Sequence, residues 1–304
     1  MGSLDAGAAR SDEWPLACRL ALGHSPPGEL ESRAERLHAI LVRGEFDPSG
    51  LILARREDVP VGAIAVQVLP GGTGVLMPPF APDPEALDAL VDAAVQHCRR
   101  ADAALVHCCL DDADPAPAAP LLRAGFEHVT RLAHMLRRGS IIPAVAPIRP
   151  SDLNFIPYSN ALEASFGETL LRTYIGSLDL PEATVDRPTS QLLAGYRHGQ
   201  PDPPRWWLVE GPAGDAVGVV ILDGLPSSEA VDVAYLGIVH EQRRKGYGRA
   251  LIGHAVAEAQ RIGTADIGLS VDARNAPAID LYRDCQFRMY RSQELYLMRL
   301  RSTR

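Results

Sequence analysis

The sequence predicts an α/β protein made of two halves with the same order of elements, each a mixed sheet flanked by helices. Three observations predict it. An apolar run from Val231 to Val239 passes through a short basic, glycine-containing loop into a helical pattern that starts at about Tyr247. A second strand–helix pair follows it, Ile267–Val271 and then Ala276–Tyr282. The same order of elements occurs earlier in the chain, in faded form, as an internal repeat of about 150 residues.

The first half opens its sheet with Leu51–Arg56 and Val61–Leu69, which read as a hairpin. A strand-like Gly74–Met77 precedes a helix at Pro84–Arg100, then a strand at Ala104–Leu110 and the segment Pro120–Phe126. Three prolines between Gly139 and Pro150 mark a break, so the expected domains are residues 1–144 and 145–304. Ser151 or Asp152 is expected to cap a helix ahead of Leu153, Ile156 and Leu162. Trp206–Glu210 and Ala216–Leu222 then repeat the hairpin.

The junction at 239–249 carries the chemistry. Gly246 and Gly248 stand where the loop becomes a helix, and Arg243, Arg244, Lys245 and Arg249 surround them. Glycine lets the backbone approach a ligand closely, and the unsatisfied N–H groups of a first helical turn form an anion site. Lys245 is the only lysine of the chain. A Walker loop does not fit these residues, and a dinucleotide fingerprint fails at Leu251, where its third glycine belongs. The remaining pattern, Arg243-x-x-Gly246-x-Gly248 between strand and helix, resembles the pyrophosphate loop of the GCN5-related N-acetyltransferases, the GNAT superfamily.

A second block strengthens the resemblance. Asn275-x-x-Ala278-x-x-Leu281-Tyr282 resembles the family's other cofactor segment, with Pro277 suited to a first helical turn. The family usually closes this helix with Gly-Phe, and this chain has Gln286-Phe287, a departure that bears on the helix end. The resemblance spans roughly residues 146–300. It implies two tandem GNAT-like domains, each a strongly bent mixed sheet flanked by helices, as in mycothiol synthase-like proteins.

The resemblance also implies a reaction. The C-terminal domain would bind acetyl-CoA as co-substrate and pass its acetyl group to a primary amine, a small molecule rather than a peptide, by direct attack. The implied cofactor contacts are Ile238, Val239, Arg243, Arg244, Lys245, Gly246, Tyr247, Gly248, Arg249, Asn275 and Tyr282. Tyr282 would protonate the departing thiolate. Asp232 is placed like the strand glutamate that serves as base in mycothiol synthase-like enzymes. Glu229 and Tyr235 are its alternates, and simple alternation puts Tyr235 on the face opposite Asp232. A ribosomal-protein type of N-terminal acetyltransferase and a non-catalytic acyl-CoA-binding regulator are the competing readings.

The first copy lacks these residues. Its loop reads Pro78-Pro-Phe-Ala-Pro-Asp-Pro-Glu85, without glycine or basic residue, and Leu121 stands at the position of Tyr282. Proline has no N–H to offer a phosphate, so this half is expected to bind no acetyl-CoA. Acceptor walls in the family come from the first two helices, here roughly 158–197, where Glu163, Glu168, Asp179, Glu182 and Asp186 suit a cationic or polar amine.

Composition narrows the class. A net charge of −8 gives no support to nucleic-acid binding. No apolar run reaches membrane-spanning length and the start has no signal-peptide pattern, so a cytoplasmic setting is expected. Cys18, Cys98, Cys108, Cys109 and Cys285 have no metal-ligand spacing and read as reduced thiols; no metal is expected. His97, His107 and His134 read as packing or surface residues and His240 as a turn residue.

Overall fold

The computed structural model describes residues 3–111, 117–139, 153–183, 188–197, 205–224, 230–264 and 266–300. They form two compact units, Met1–Val129 with Glu294–Arg304, and Thr130–Gln293.

The first unit runs β1 (Leu4–Ala8), α1 (Trp14–Ala21), α2 (Leu30–Val42), β2 (Leu51–Arg56), β3 (Val59–Leu69), β4 (Thr73–Leu76), α3 (Pro84–Arg100), β5 (Leu105–Asp111) and α4 (Ala118–Arg123). Its sheet has the order β1-β2-β3-β4-β5, antiparallel except for the β4–β5 pair. Leu87, Leu90, Val91, Ala94, Val95 and Cys98 make one buried stripe on α3, at the spacing of a helix face. That stripe packs on Ile64, Val66 and Val106. The opposite sheet face is covered by α1 and α2, through Ala17, Cys18 and Leu41 on Leu51 and Leu53.

Next come β6 (Glu127–Arg138), β7 (Asn154–Pro157), α5 (Glu163–Tyr174), α6 (Thr189–Arg197), β8 (Trp206–Glu210), β9 (Ala216–Asp223), β10 (Ala230–Ile238), α7 (Tyr247–Arg261), β11 (Asp266–Asp272), α8 (Ala276–Asp284) and β12 (Arg288–Arg299). In the second unit the order is β6-β11-β10-β9-β8-β7, and β10–β11 is the parallel pair. One face carries α7 and packs Leu251, Ile252 and Ala255 on Val220, Val231, Val233 and Leu269. The other carries α5 and α6, with Phe166, Leu170 and Leu193 on Trp206, Leu208, Val219 and Ile221. Each large side chain so buried stabilises the fold by about 1.5–3 kcal/mol.

One expectation changes, and another falls outside the described residues. The expected break at 144/145 and the caps Ser151 and Asp152 lie outside the described residues, but the compact units divide at 129/130 and again at 293/294. Leu132–Arg138 of β6 pair antiparallel with Asp266–Asp272 of β11, so most of this strand lies in the second unit. The last residues of β12 lie in the first unit, where Tyr296 and Met298 join its core. Prolines mark where a chain is punctuated, and they do not tell which sheet a flanking strand joins. The expected helix through Leu153 and Ile156 is instead β7, paired with β8 from Asn154↔Glu210 to Pro157↔Trp207. Pro157 cannot sit inside a helix but fits the end of an edge strand, and α5 begins only at Glu163.

Candidate active site

The site grows from the parting of two parallel strands. β10 and β11 are in register from Ala230↔Asp266 to Val233↔Leu269. Past that point β10 stays with β9 as far as Ile238↔Gly218, and β11 stays with β6 as far as Asp272↔Leu132. Among the described residues, β10 has no ladder partner on β11 after Val233, and a wedge opens between the two strands.

A register shift between Val233 and Tyr235 starts the wedge and resets the side-chain alternation. Asp232 lies opposite Asp223 and Tyr235 opposite Ile221, and these two β9 residues share a face. Asp232 and Tyr235 therefore share a face, where strict alternation had separated them. Tyr235 points to α5 and bonds Thr173 Oγ1 at 2.8 Å. Asp232 stays solvent-exposed, its carboxylate lying so close over Gly268 that an added Cβ there would collide with Oδ1. Partial burial of the carboxyl and the neighbouring charge of Asp223 push its pKa up, against a weaker opposite pull from His134. Glu229 lies outside the described residues.

The wedge leads into the glycine–basic loop. Arg244 and Gly246 both take positive φ, 66° and 85°. Gly246 is the N-cap of α7 and makes no side-chain cap hydrogen bond, so the first-turn N–H groups, at Tyr247 and Gly248 among others, have no capping side chain. An added Cβ on Gly248 would meet Leu281 of α8 at 3.0 Å, so this glycine sets how closely the two helices approach. Ile238 and the buried Val239 close the strand end, with the Val239 N–H on Val217 O at 3.0 Å.

The four cations have different tasks. Arg243 is a structural clamp, its guanidinium donating to the carbonyls of Thr173 (2.8 Å), Ile175 (2.9 Å) and Gly176 (2.7 Å), and its Nε to Ile238 O (3.1 Å). Arg249 pairs with Asp284 of α8 at 2.6 Å. Arg244 and Lys245 are exposed on the loop, Lys245 donating to Gln242 at 2.6 Å.

The far wall is α8. Asn275 is its N-cap, accepting from the Ala278 N–H at 3.3 Å, with Pro277 in the first turn. Tyr282 faces the α7-side core and is 9% exposed. Burial, and behind it the charges of Asp179 and Cys285, push its phenol pKa up, so it is protonated at neutral pH. Cys285 is a buried thiol whose pKa is pushed up by burial first of all. After the helix, Gln286 takes the left-handed backbone that the family gives to glycine, at φ 70°. The closing bonds form all the same, Gln286 N–H to Arg283 O and Phe287 N–H to Tyr282 O, both at 2.9 Å.

A set of contacts that the sequence does not show ties the segment after α5 to the end of β11. Asp272, fully buried, accepts from Thr130 Oγ1 (2.7 Å), the Arg274 N–H (2.8 Å) and the Leu180 N–H (3.3 Å). Its own N–H donates to Asp179 Oδ1 at 2.9 Å. Arg274 then reaches Glu182 in a two-pronged pair at 2.7 and 2.8 Å. Asp179 and Glu182 were legible only as acids, because their partners lie some ninety residues away in the chain.

The corresponding place in the first unit is filled from within. Asp83 caps α3 by accepting from the Ala86 N–H at 2.9 Å, and Arg56 pairs with Asp83 and Glu85 at 3.3 and 3.0 Å. Phe80 bridges back to Ala63 of β3, and its ring lies 5.2 Å from that of His24. Its ring atoms stand where a Cβ on Gly23 would be, at 2.5 Å.

The acetyltransferase (GNAT) family model matches residues 172–287, from the last turn of α5 to just past α8. A GCN5-related N-acetyltransferase from Sphaerobacter thermophilus has a similar structure, with a TM-score of 0.71 at 17% identity, over 98% of this chain and 96% of that one. A tandem GNAT protein from the clavulanic acid biosynthesis pathway gives 0.62 at 15% identity, over 98% of each chain. The glucosamine N-acetyltransferase region of a fungal multi-domain β-N-acetylglucosaminidase gives 0.68 at 15%, over 98% of this chain and 38% of that one. At such identities the likeness is one of fold. No curated protein matches the sequence, and no described helix is long and apolar enough to cross a membrane. Residues 172–287 of the second unit thus match the GNAT acetyltransferase family model, in a chain whose fold is similar to that of a tandem GNAT protein.

Proposed function

We propose that the second unit transfers the acetyl group of acetyl-CoA to a primary amine on a small molecule. The observation that carries this reading is the uncapped start of α7, with its left-handed Gly246, placed directly after a strand that parts from its parallel neighbour. The first-turn amides, with Arg244 and Lys245 beside them, suit a pyrophosphate, and the unpaired edge of β10 suits an extended amide-bearing arm. Acetyl-CoA would supply a thioester, which is already activated toward an amine.

The protein's own part is placement and proton handling. Tyr282 remains protonated at neutral pH and is the proton donor to the departing sulfur. Asp232 lies on the α5 side of the sheet at the root of the wedge, exposed and with a raised pKa, and is suited to receive an amine's proton directly or through water.

The test is calorimetry with coenzyme A, followed by thiol release and product mass spectrometry with acetyl-CoA and a panel of small primary amines. One coenzyme site per chain and an acetylated small amine are expected. Binding without transfer would mark a regulator, and acetylation confined to peptide N-termini would mark the protein-directed alternative. No binding would overturn the site itself.

A further inference from the structure

We propose that Asp179, carried by the segment after α5, is a proton acceptor for the incoming amine at the mouth of the wedge, beside the end of β11. The inference rests on the transfer reaction proposed above and adds to it a carboxylate that the sequence showed only as one acid among several.

Asp179 is located by its neighbours. Its Oδ1 accepts from the N–H of Asp272, the last residue of β11 and thus the outer end of one arm of the wedge. Its charge acts on two phenols whose rings belong to opposite faces of the sheet, Tyr235 in the α5-side core and Tyr282 in the α7-side core. With no β10 residue paired beside this end of β11, the Asp179 carboxylate takes the Asp272 N–H there. The segment that bears it is fixed at both ends. Arg243 holds the carbonyls of Thr173, Ile175 and Gly176, and Arg274 holds Glu182. Leu180, next in the chain, sits at φ 45° with its N–H on Asp272 Oδ2, a costly conformation for a branched residue that the surrounding bonds impose.

Two neighbouring carboxylates are driven apart in acidity here, the pattern that separates acid–base roles in a site. Burial alone would raise Asp272, but hydrogen bonds from Arg274, Thr130 and Leu180 outweigh it and hold it as an anion. Asp179 is raised by burial; the hydrogen bond from the Asp272 N–H opposes this most, the charge of Asp272 adds to the rise, and Arg274 and Asn275 pull the other way more weakly. The groups facing it are Asp272, Arg274 and Asn275 from the β11 end, Tyr235 from β10 and Tyr282 from α8. A carboxyl with a raised pKa is a better match for an ammonium than an ordinary aspartate.

The step balances as follows. The acceptor arrives as R–NH3+ and gives one proton to the Asp179 carboxylate. The freed nitrogen pair forms the C–N bond while the C–S bond breaks. Sulfur takes the Tyr282 hydroxyl proton, and the phenolate recovers one from the nitrogen. The Asp179 proton leaves to water, so the products are an amide, a thiol and one released proton.

The test compares Asp179→Asn with Asp232→Asn and the parent. The amide oxygen of Asp179→Asn can still accept the Asp272 N–H, so coenzyme A affinity and the melting temperature should match the parent. Its kcat/KM at neutral pH should fall about 100-fold or more and recover toward the parent as the amine deprotonates unaided at high pH. Carboxyl 13C titration of the unsubstituted protein should show an aspartate above the ordinary range whose signal is lost in Asp179→Glu. A kcat/KM–pH profile of Asp179→Asn that overlays the parent's, or an Asp179 carboxyl titrating in the ordinary range, overturns the assignment and leaves the transfer reaction standing. Loss confined to Asp232→Asn gives the role to that residue alone and has the same effect. A parent that binds coenzyme A but acetylates no amine overturns both readings together.

Discussion

The helices that follow the parallel strands, α3 in the first unit and α7 in the second, begin in opposite ways. At α3 the cap is Asp83, a carboxylate bonded to the Ala86 N–H and paired with Arg56. At α7 the cap is Gly246, which has no side chain to place there. An aspartate cap is worth about 1 kcal/mol to a helix and fills the positive end of its dipole. A glycine cap forgoes that stabilisation and leaves the same end open to an anion from outside. The two units thus differ less in fold than in what completes the fold: one supplies its own anion, and in the other the same helix end has no side-chain cap. The turns before the helices agree with this, since Phe80 packs against Gly23 and His24 in the first unit. In the second, Arg244 and Lys245 stay exposed.

The largest expected effect tests Tyr282 against Leu121, its counterpart in the first copy, which is fully buried. Tyr282→Phe should lower kcat by about 10²–10⁴-fold with coenzyme A affinity unchanged. An unchanged kcat would reduce Tyr282 to the packing role that Leu121 has. Next, Gly246→Val should weaken coenzyme A binding at least tenfold, about 1.4 kcal/mol, because a β-branched residue resists the positive φ found there. Gly248→Val is the poorer probe, since its side chain would strike Leu281 of α8 first. The matching change in the other unit, Asp83→Ala, should cost about 1 kcal/mol of stability in a denaturant melt and leave coenzyme A binding untouched. If it altered binding instead, the first unit would not be the self-completed one.

The smallest effect concerns the helix ends, where Gly125 (φ 98°) and Gln286 (φ 70°) hold the same kind of backbone. Gln286→Gly should stabilise by up to about 1 kcal/mol through relief of left-handed strain, net of the greater freedom of glycine in the unfolded chain. Gly125→Gln should destabilise by a similar amount. Only an ordinary contact awaits a Cβ at Gly125, Met298 Cε at 3.6 Å, so strain and not collision is what a denaturant melt of the pair would measure.

Much of this was legible in the sequence, and the exceptions have physical reasons. Apolar runs bounded by turn residues located β10, β11, α3 and α7 to within a residue or two, because each buries one continuous face. The loop glycines and the α8 cap were visible as residue types in the right order. The shared face of Asp232 and Tyr235 was not, because the irregularity between Val233 and Tyr235 shifts the alternation by one place. The structural task of Arg243 was hidden too, since the carbonyls it holds belong to residues 173–176, about seventy positions away. At β7 the Ser151–Asp152 capping signal pointed to a helix, whereas Pro157 favours the end of an edge strand.

The compact units of the chain do not follow the order of its two halves, since most of β6 lies in the second unit. Without β6, which the earlier half of the chain encodes, β11 would expose a long row of unpaired backbone groups. Ala133 and Met135 would also be missing from the core on which Tyr282 packs. A fragment that begins after Arg138 would therefore lack a strand of its own sheet, and it should be prone to associate through the bared edge of β11.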